Sequence, residues 1–119
     1  MPAVAVIGAS NDRAKYGNKA VRAYLRQGWT VFPVNPRESV VEGLRSYARV
    51  TDILDTIDRA SLYVPPEIGA TLLADIRAKG VVDVWLNPGA ESDAVLAEAA
   101  RLGIEPVVAC SIFDIGERP

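Results

Sequence analysis

The sequence predicts an α/β fold built on a doubly wound parallel sheet of five strands, with helices on both faces. Two observations predict it. Apolar runs rich in β-branched residues recur along the 119 residues, and amphipathic segments separate them. Each apolar run also ends in a turn of small residues or prolines. Runs that are continuously apolar, rather than alternating, are typical of a parallel sheet that is covered on both faces.

Five apolar segments are predicted to be strands, at residues 3–8, 29–34, 60–64, 81–86 and 104–109. Right-handed crossovers through the intervening helices favour the strand order 3-2-1-4-5. In a sheet of this order, a ligand binds at the carboxyl ends of strands 1 and 4, where the direction of winding reverses.

Four segments between the strands are predicted to be helices, at residues 18–27, 52–57, 67–79 and 91–102. Gly28, Gly80 and Gly103 follow three of them as C-terminal stops. Thr51 is expected to cap the short helix at 52–57. Pro66 suits the first turn of the helix at 67–79, because the N–H that proline lacks would have no partner there.

The turns that end the five strands should all lie on one edge of the sheet, because parallel strands share the direction of their carboxyl ends. They are Gly8-Ala9-Ser10, Asn35-Pro36, Pro65-Pro66, Asn87-Pro88-Gly89 and Cys110-Ser111. We therefore expect a ligand site at this edge.

Composition excludes several classes of function. The length suits one domain, which we expect to span residues 1–119. A net charge of −2 gives no overall attraction to nucleic acid or to an anionic membrane, and no apolar run approaches the ~20 residues that span a bilayer. The chain has no histidine, which excludes a Ser-His-Asp triad and any His-ligated metal site. A single cysteine and no apparent export signal predict a cytoplasmic setting.

The turn Gly8-Ala9-Ser10 is the main signal for binding. It joins a buried strand to a helix, and its small side chains leave backbone N–H groups open to an anion such as a phosphate. Ser10 Oγ can add a hydrogen bond, and Arg13 and Lys15 add positive charge. The next glycine is Gly17, so the G-x-G-x-x-G fingerprint of nicotinamide enzymes is absent. The alternative is that Gly8 only allows the helix to pack closely on the strand.

The end of the second strand, Asn35-Pro36-Arg37, indicates which nucleotide the site prefers. NAD-binding domains place an Asp or Glu here to bind the ribose hydroxyls. Asn35 can still hydrogen-bond a ribose, whereas Arg37 favours a phosphate. The site therefore suits a phosphorylated ribose, as in NADP or coenzyme A (CoA), unless Arg37 is simply an exposed loop residue.

Taken together, four segments resemble the small stand-alone CoA-binding domain proteins, which have a Rossmann-like fold. The segments are Ile7-Gly8-Ala9-Ser10, Val34-Asn35-Pro36, Tyr63-Val64-Pro65-Pro66 and the closing Cys110. The same domain forms the N-terminal part of the α subunit of succinyl-CoA synthetase. The resemblance extends over essentially the whole chain and implies that CoA is the cofactor.

The resemblance also implies a role for each turn. Gly8-Ala9-Ser10 stands where a Gly-x-Thr turn holds the CoA phosphates, and Pro36-Arg37-Glu38 where Pro-Gly-Lys binds the nucleotide. Val64-Pro65-Pro66 matches the Val-Pro-x-Pro turn that lines the adenine side. Asn87-Pro88-Gly89 stands where a Thr-Glu-Gly turn lies near the pantetheine path.

Two departures from the synthetase bear on function. No histidine is present to be phosphorylated, and Pro88 replaces the glutamate of the Thr-Glu-Gly turn. We therefore expect a protein that binds CoA or a small acyl-CoA without catalytic groups of its own, alone, as a homo-oligomer or with a ligase-type partner chain. The alternatives are an NADP-binding oxidoreductase domain and the CoA-binding subunit of a split acyl-CoA ligase.

Cys110 follows the fifth strand at the ligand edge and has two interpretations. It is either a small buried apolar side chain or a thiol close enough to the CoA thiol to form a mixed disulfide. The first is favoured, because nothing nearby in sequence supplies the positive charge that would lower its pKa. Asp52, Asp55 and Asp58, spaced three apart, are expected to face solvent rather than to bind a metal.

Overall fold

A parallel sheet of five strands forms the centre of the fold, and the computed structural model describes all residues from 1 to 119. The sheet strands are β1 (Ala3–Ile7), β2 (Thr30–Val34), β5 (Arg59–Leu62), β6 (Asp83–Leu86) and β7 (Val107–Val108). Between β2 and β5, the strands β3 (Val40–Val41) and β4 (Leu44–Arg45) form a small antiparallel hairpin. The predicted α/β class and doubly wound sheet are confirmed.

The order of the strands differs from the prediction. It is β2-β1-β5-β6-β7, which is 2-1-3-4-5 for the five sheet strands and not 3-2-1-4-5. The outer edge of β2 is already paired with Tyr47, which follows the hairpin. Tyr47 N–H donates to Pro33 O at 2.9 Å, and Tyr47 O accepts from Asn35 N–H at 2.9 Å. The third sheet strand therefore pairs with the other side of β1, with Leu62 opposite Ile7. The winding reverses between β1 and β5, so the crevice belongs to the carboxyl ends of these two strands and not to strands 1 and 4.

Helices cover both faces of the sheet. They are α1 (Tyr16–Arg26), α2 (Pro66–Lys79), α3 (Asp93–Arg101) and a short C-terminal α4 (Ser111–Asp114). The predictions at 18–27, 67–79 and 91–102 are confirmed with bounds shifted by one or two residues, and Pro66 is the first residue of α2. None of these helices is long and apolar enough to cross a membrane. The short α4 was not predicted.

The predicted helix at 52–57, with Thr51 as its cap, is wrong. A single 3-10 turn covers Val50–Asp52 instead, and Arg49 precedes it as the capping residue. Asp52 Oδ2 accepts a hydrogen bond from Arg49 N–H at 3.2 Å, which closes this short turn. The chain then extends so that Asp58 Oδ2 accepts from Ala3 N–H at 2.7 Å, at the start of β1. This long-range hydrogen bond forms with the chain extended, so it opposes continuation of the helix. Local helix propensity carries no information about such a bond.

Alternate residues of β1 supply the core on the two faces of the sheet. Val4 and Val6 pack in an apolar cluster with Tyr24 of α1. Ala5 and Ile7 pack in a larger cluster that also includes residues of the neighbouring strands, of α2 and α3, and of the segments that connect them. Every residue of β1 is buried, as expected for the strand from which the sheet is wound in both directions.

Arg59 organises the end of the sheet opposite to the strand-ending turns. Its guanidinium stacks between the rings of Trp29 and Trp85, with distances of 5.1 and 4.7 Å to their centroids. It also forms ion pairs with Asp83 at 2.8 Å and Asp114 at 2.9 Å. A half-buried arginine that meets two rings and two carboxylates connects β5, β6 and α4 at their shared end.

Gly8 should tolerate no side chain. It has φ +91°, and a Cβ there would lie 2.5 Å from the carbonyl oxygen of Tyr63, whereas Gly89 has φ +93° with no atom within 4 Å of its Cβ position. We expect Gly89→Ala to lower the free energy of unfolding by about 1–2 kcal/mol through backbone strain. Gly8→Ala should cost about 1–3 kcal/mol more, because the strain and the overlap add. Urea unfolding of the two variants measures the difference, and equal losses would contradict the packing role of Gly8.

Candidate functional site

Two adjacent cavities open at the carboxyl ends of β1 and β5. The first, which we call the α2 cavity, has a volume of ≈ 330 Å³ and lies between the end of β2, the 3-10 turn and α2. The second, which we call the turn cavity, has a volume of ≈ 570 Å³ and lies between the first turns of α1 and α2 and the turn after β6. Gly8 and Val64 line both cavities, so the two meet above the tip of β1.

The turn at Gly8 is a point of close backbone packing. A Cβ at Gly17 would lie 2.1 Å from Gly8 O, just as a Cβ at Gly8 would overlap Tyr63. These two glycines let α1 and β5 approach the same turn. Gly8 therefore has the packing role that the sequence left open as an alternative, and it also lines both cavities. A substitution of Gly8 cannot separate ligand binding from stability.

Side-chain amides hold the segment that follows Gly8. Asn35 Nδ2 donates to Ala9 O at 2.7 Å, and Asn18 Nδ2 donates to Ser10 O at 2.8 Å. Ser10 Oγ accepts from Asp12 N–H at 3.0 Å. Because the carbonyl groups are fixed from behind, the segment has a set shape before any ligand arrives. Ala9 is buried, and neither Ala9 nor Ser10 lines either cavity.

Two helix N-termini contribute to the wall of the turn cavity. Tyr16 and Gly17 open α1, and their backbone N–H groups donate no hydrogen bond within the chain. Pro66 and Glu67, which open α2, lie on the same wall. Helix N-termini attract anions through unpaired N–H groups and the helix dipole. Lys15, also on this wall, supplies a positive charge that offsets Glu67.

The predicted basic and polar residues divide between the cavity walls and the surface. Asn35, Pro36 and Arg37 line the α2 cavity, and the exposed guanidinium of Arg37 makes no hydrogen bond or ion pair. Asn35 Oδ1 accepts from Arg37 N–H at 2.8 Å, so its side chain also shapes the loop. Arg13 lines neither cavity, and its Nε lies 3.6 Å from Glu42 Oε2.

The residues of the turn after β6 also divide, between the wall of the turn cavity and the protein interior. Pro88 and Gly89 line the turn cavity, and so do Pro65 and Pro66. Asn87 lies buried beneath them, where its Nδ2 donates to Ser61 Oγ and to Leu62 O, both at 2.9 Å. Asn87 Oδ1 accepts from Ser111 N–H at 2.8 Å. Asn87 therefore joins β5, β6 and α4 rather than meeting the cavity.

Tyr63 links this buried group to the turn cavity. Tyr63 lines the cavity, and its hydroxyl lies 3.2 Å from Ser111 Oγ. Burial raises the pKa of Tyr63 to about 12, although hydrogen bonds to Ser111 and Ser61 oppose the rise. The phenol is thus protonated near neutral pH and acts as a hydrogen-bonding group rather than as a base.

Cys110 does not reach either cavity. It is half-buried, precedes α4, and packs against the apolar cluster between α1 and the sheet. Cys110 thus packs against apolar side chains while part of its surface stays exposed.

Sequence reasoning missed an ion pair on the wall of the α2 cavity. Arg49 Nε lies 3.1 Å from Asp75 Oδ2, and Arg49 Nη2 lies 2.9 Å from Oδ1. The hydrogen bond from Arg49 to Asp75 raises the pKa of Arg49 above its usual value. The available signal was the spacing of Ile68, Leu72 and Asp75 along one face of α2. Their partner could not be identified, because Arg49 lies 26 positions from Asp75 and outside every predicted element.

Comparison with known proteins places the chain in a family. Residues 2–115 match the CoA binding domain family. The α subunit of ADP-forming acetate–CoA ligase II from Pyrococcus furiosus is 40% identical over 82 residues, which are 68% of this chain and 18% of that subunit. An ADP-forming acetate–CoA ligase from Methanocaldococcus jannaschii is 32% identical over 78 residues, 66% of this chain and 11% of the ligase. The match thus spans less than a fifth of the length of these relatives.

Solved structures agree with this assignment. A conserved hypothetical protein from Pyrococcus furiosus has a TM-score of 0.89 and 31% identity, over 96% of this chain and 99% of that one. A dinucleotide forming acetyl-coenzyme A synthetase 1 from Ca. Korarchaeum cryptofilum, in complex with phosphate and ADP, has a TM-score of 0.78 and 28% identity. That alignment covers 90% of this chain and 25% of the synthetase. With a family match along nearly its whole length, the chain belongs to the CoA-binding domains and is homologous to the corresponding region of ADP-forming acetate–CoA ligases.

Proposed function

We propose that this protein, as a single domain over residues 1–119, binds CoA or a small acyl-CoA in the crevice formed by the α2 cavity and the turn cavity. The observation that carries the proposal is that an apolar cavity and a cavity lined by two helix N-termini meet at Gly8. CoA has a matching division, with an adenosine that carries a 3′-phosphate at one end and a diphosphate leading to pantetheine at the other.

The adenosine end suits the α2 cavity. Val64, Ile68 and Leu72 give its wall an apolar surface against which a purine ring can pack. Arg37, exposed and without a partner, is the group we assign to the 3′-phosphate, because a guanidinium binds phosphate through charge-assisted hydrogen bonds. Asn35 keeps one N–H for the ribose after its bond to Ala9.

The diphosphate and pantetheine suit the turn cavity. The N–H groups of Tyr16 and Gly17 are the donors we assign to the diphosphate, with Lys15 as the nearby positive charge. Pro88 and Gly89 border the path by which pantetheine would leave this cavity. Ser10, Ala9 and Asn87 shape the site from behind and are not assigned to ligand contact.

A second candidate is the CoA-binding subunit of a ligase that a partner chain completes. It is favoured by the P. furiosus relative, whose name describes a ligase subunit. The chain itself has no histidine to phosphorylate, so ligase chemistry through a phosphohistidine would depend on a histidine supplied by a partner. Both candidates place the protein in the cytoplasm, where CoA and a lone unpaired cysteine are expected. The NADP alternative loses support, because the family match is to a CoA-binding domain.

Removal of the 3′-phosphate should weaken binding. We expect micromolar affinity for CoA, about −8 kcal/mol, and a loss of roughly 1.5–3 kcal/mol for dephospho-CoA. Arg37→Gln should remove most of this difference, since it removes the charge that favours the phosphate. Isothermal titration measures the affinity of both proteins for both ligands.

The control is Arg77→Gln. Arg77 is an exposed arginine in the last turn of α2, so this variant makes the same change of charge away from the crevice and should bind both ligands as the wild type does. Equal affinity of the wild type for the two ligands would remove Arg37 from the site.

An acidic side chain in the α2 cavity should block the adenosine. Ile68 is 47% exposed and lines this cavity, whereas Leu54 is 96% exposed and lines neither. We expect Ile68→Glu to weaken CoA binding by at least about 10-fold, because a carboxylate against the purine would be desolvated without a partner. Leu54→Glu adds the same charge and should bind CoA as the wild type does. If Ile68→Glu folds by circular dichroism and binds CoA normally, the adenosine lies elsewhere.

A further inference from the structure

Three hydroxyl groups, which we call the hydroxyl network, lie beneath the turn after β6. Ser61 Oγ and Ser111 Oγ are 2.6 Å apart, and Ser111 Oγ is 3.2 Å from the hydroxyl of Tyr63. The two serines are fully buried, whereas Tyr63 is half-buried and lines the turn cavity. The network therefore runs from the protein interior to a residue of the cavity wall.

The amide of Asn87 fixes the direction of the first bond. Its Oδ1 accepts from Ser111 N–H at 2.8 Å, so Nδ2 is the atom that donates to Leu62 O and to Ser61 Oγ, both at 2.9 Å. Ser61 Oγ thus accepts from Asn87, and its other hydrogen-bond contact is Ser111 Oγ. Because Ser61 is buried away from water, its proton goes to Ser111.

The same reasoning fixes the direction of the second bond. Ser111 Oγ accepts from Ser61, so its own proton goes to the oxygen of Tyr63. The reverse direction would leave the proton of Ser61 buried without an acceptor, which is unfavourable. Tyr63 thus accepts a hydrogen bond from the network and keeps its own proton for a group outside it. Burial raises the pKa of Tyr63 to about 12, so that proton stays in place near neutral pH.

The network also places the Tyr63 hydroxyl beside the turn that borders the turn cavity. Ser111, which donates to Tyr63, is itself bonded to Asn87, and Asn87 directly precedes Pro88 of the cavity wall. The hydroxyl is therefore close to the part of the wall that the proposed function gives to pantetheine.

This part of the wall offers a ligand few other donors. Three of its residues are prolines, which have no N–H group: Pro65, Pro66 and Pro88. The N–H groups of Gly89 and Ala90 are already bonded within the chain, to a carboxylate and to a backbone carbonyl. A carbonyl group of a ligand that passes this wall loses its hydrogen bonds to water, and the phenol of Tyr63 can replace one of them.

We infer that Tyr63 donates its hydroxyl proton to a carbonyl oxygen of the pantetheine arm when CoA occupies the turn cavity. The inference rests on the proposed function and deepens it, since it names a group that holds the arm rather than the nucleotide. Pantetheine carries amide carbonyls and no charge, so an uncharged donor suits it. The charged diphosphate is left to Lys15 and to the N–H groups that open α1.

Tyr63→Phe tests the inference, because it removes the hydroxyl and keeps the ring. The probes are CoA and adenosine 3′,5′-bisphosphate, which lacks the pantetheine arm. Isothermal titration should show that the variant binds CoA about 5- to 10-fold more weakly than the wild type does, as expected for one lost hydrogen bond. Its affinity for the bisphosphate should equal that of the wild type.

The control is Tyr47→Phe, which removes a hydroxyl from another half-buried tyrosine. Tyr47 lines neither cavity, so this variant should bind both compounds as the wild type does. A purely structural role of the Tyr63 hydroxyl would change the affinities for the two compounds equally, because it would act through the shape of the whole crevice.

Two results would overturn the inference: unchanged affinity of Tyr63→Phe for CoA, or an equal loss of affinity for the two compounds. If Tyr63→Phe fails to fold, the wild type decides, with carbon-13 at Cζ of its four tyrosines. Phe variants of the other three assign the Tyr63 signal in NMR spectra by elimination. That signal should move on addition of CoA and not of the bisphosphate, and no movement, or the same movement with both, overturns the inference.

Titration of the wild type with CoA separates this failure from that of the proposed function. A wild type that binds CoA, while Tyr63→Phe loses no affinity for it, overturns only the role of Tyr63. A wild type that does not bind CoA overturns the proposed function and the inference together.

Discussion

The close approach of three backbone segments at Gly8 is the constraint on which the crevice depends. The turn after β1, the end of β5 and the start of α1 meet there at distances that leave no space for a Cβ on Gly8 or Gly17. Because these segments meet, the first turn of α1 and the first turn of α2 lie on the wall of one cavity. Because β2 and β5 both end beside this turn, the α2 cavity opens next to it. A larger residue at either position would separate the elements whose contact forms the site.

Buried and half-buried amides then hold the crevice in shape without a ligand. Asn18 and Asn35 bond the carbonyl groups behind the Gly8 turn, and Asn87 joins the ends of β5 and β6 to α4. A site that is ordered before binding loses less conformational entropy when a ligand enters. These asparagines thus position the backbone around the crevice, and a polar residue at this edge can shape the site without touching a ligand.

Local patterns predicted the strands, the three long helices and the turns at the ligand edge, because each depends on residues that are neighbours in sequence. Pro66 at the start of α2 is an example, since its role follows from the missing N–H alone. The strand order could not be predicted, because it depends on Tyr47 occupying the edge of β2. The Asp58–Ala3 bond joins residues 55 positions apart, and Arg49 and Asp75 are 26 apart. Contacts at such separations leave no periodic signal, so the sequence could predict which turns share an edge of the sheet but not that Arg49 and Asp75 line a cavity there.

The Arg59 cluster lies at the amino ends of β5 and β6, opposite to the crevice. At that end, the half-buried guanidinium of Arg59 contacts two indole rings and two partly exposed carboxylates, away from the crevice. Side chains on the crevice rim, such as Arg37, take no part in that cluster and pack against little else. Selection can therefore change the rim with little effect on the rest of the domain. The separation of the two ends gives one scaffold a route to new ligands, in which recognition diverges while the fold is kept.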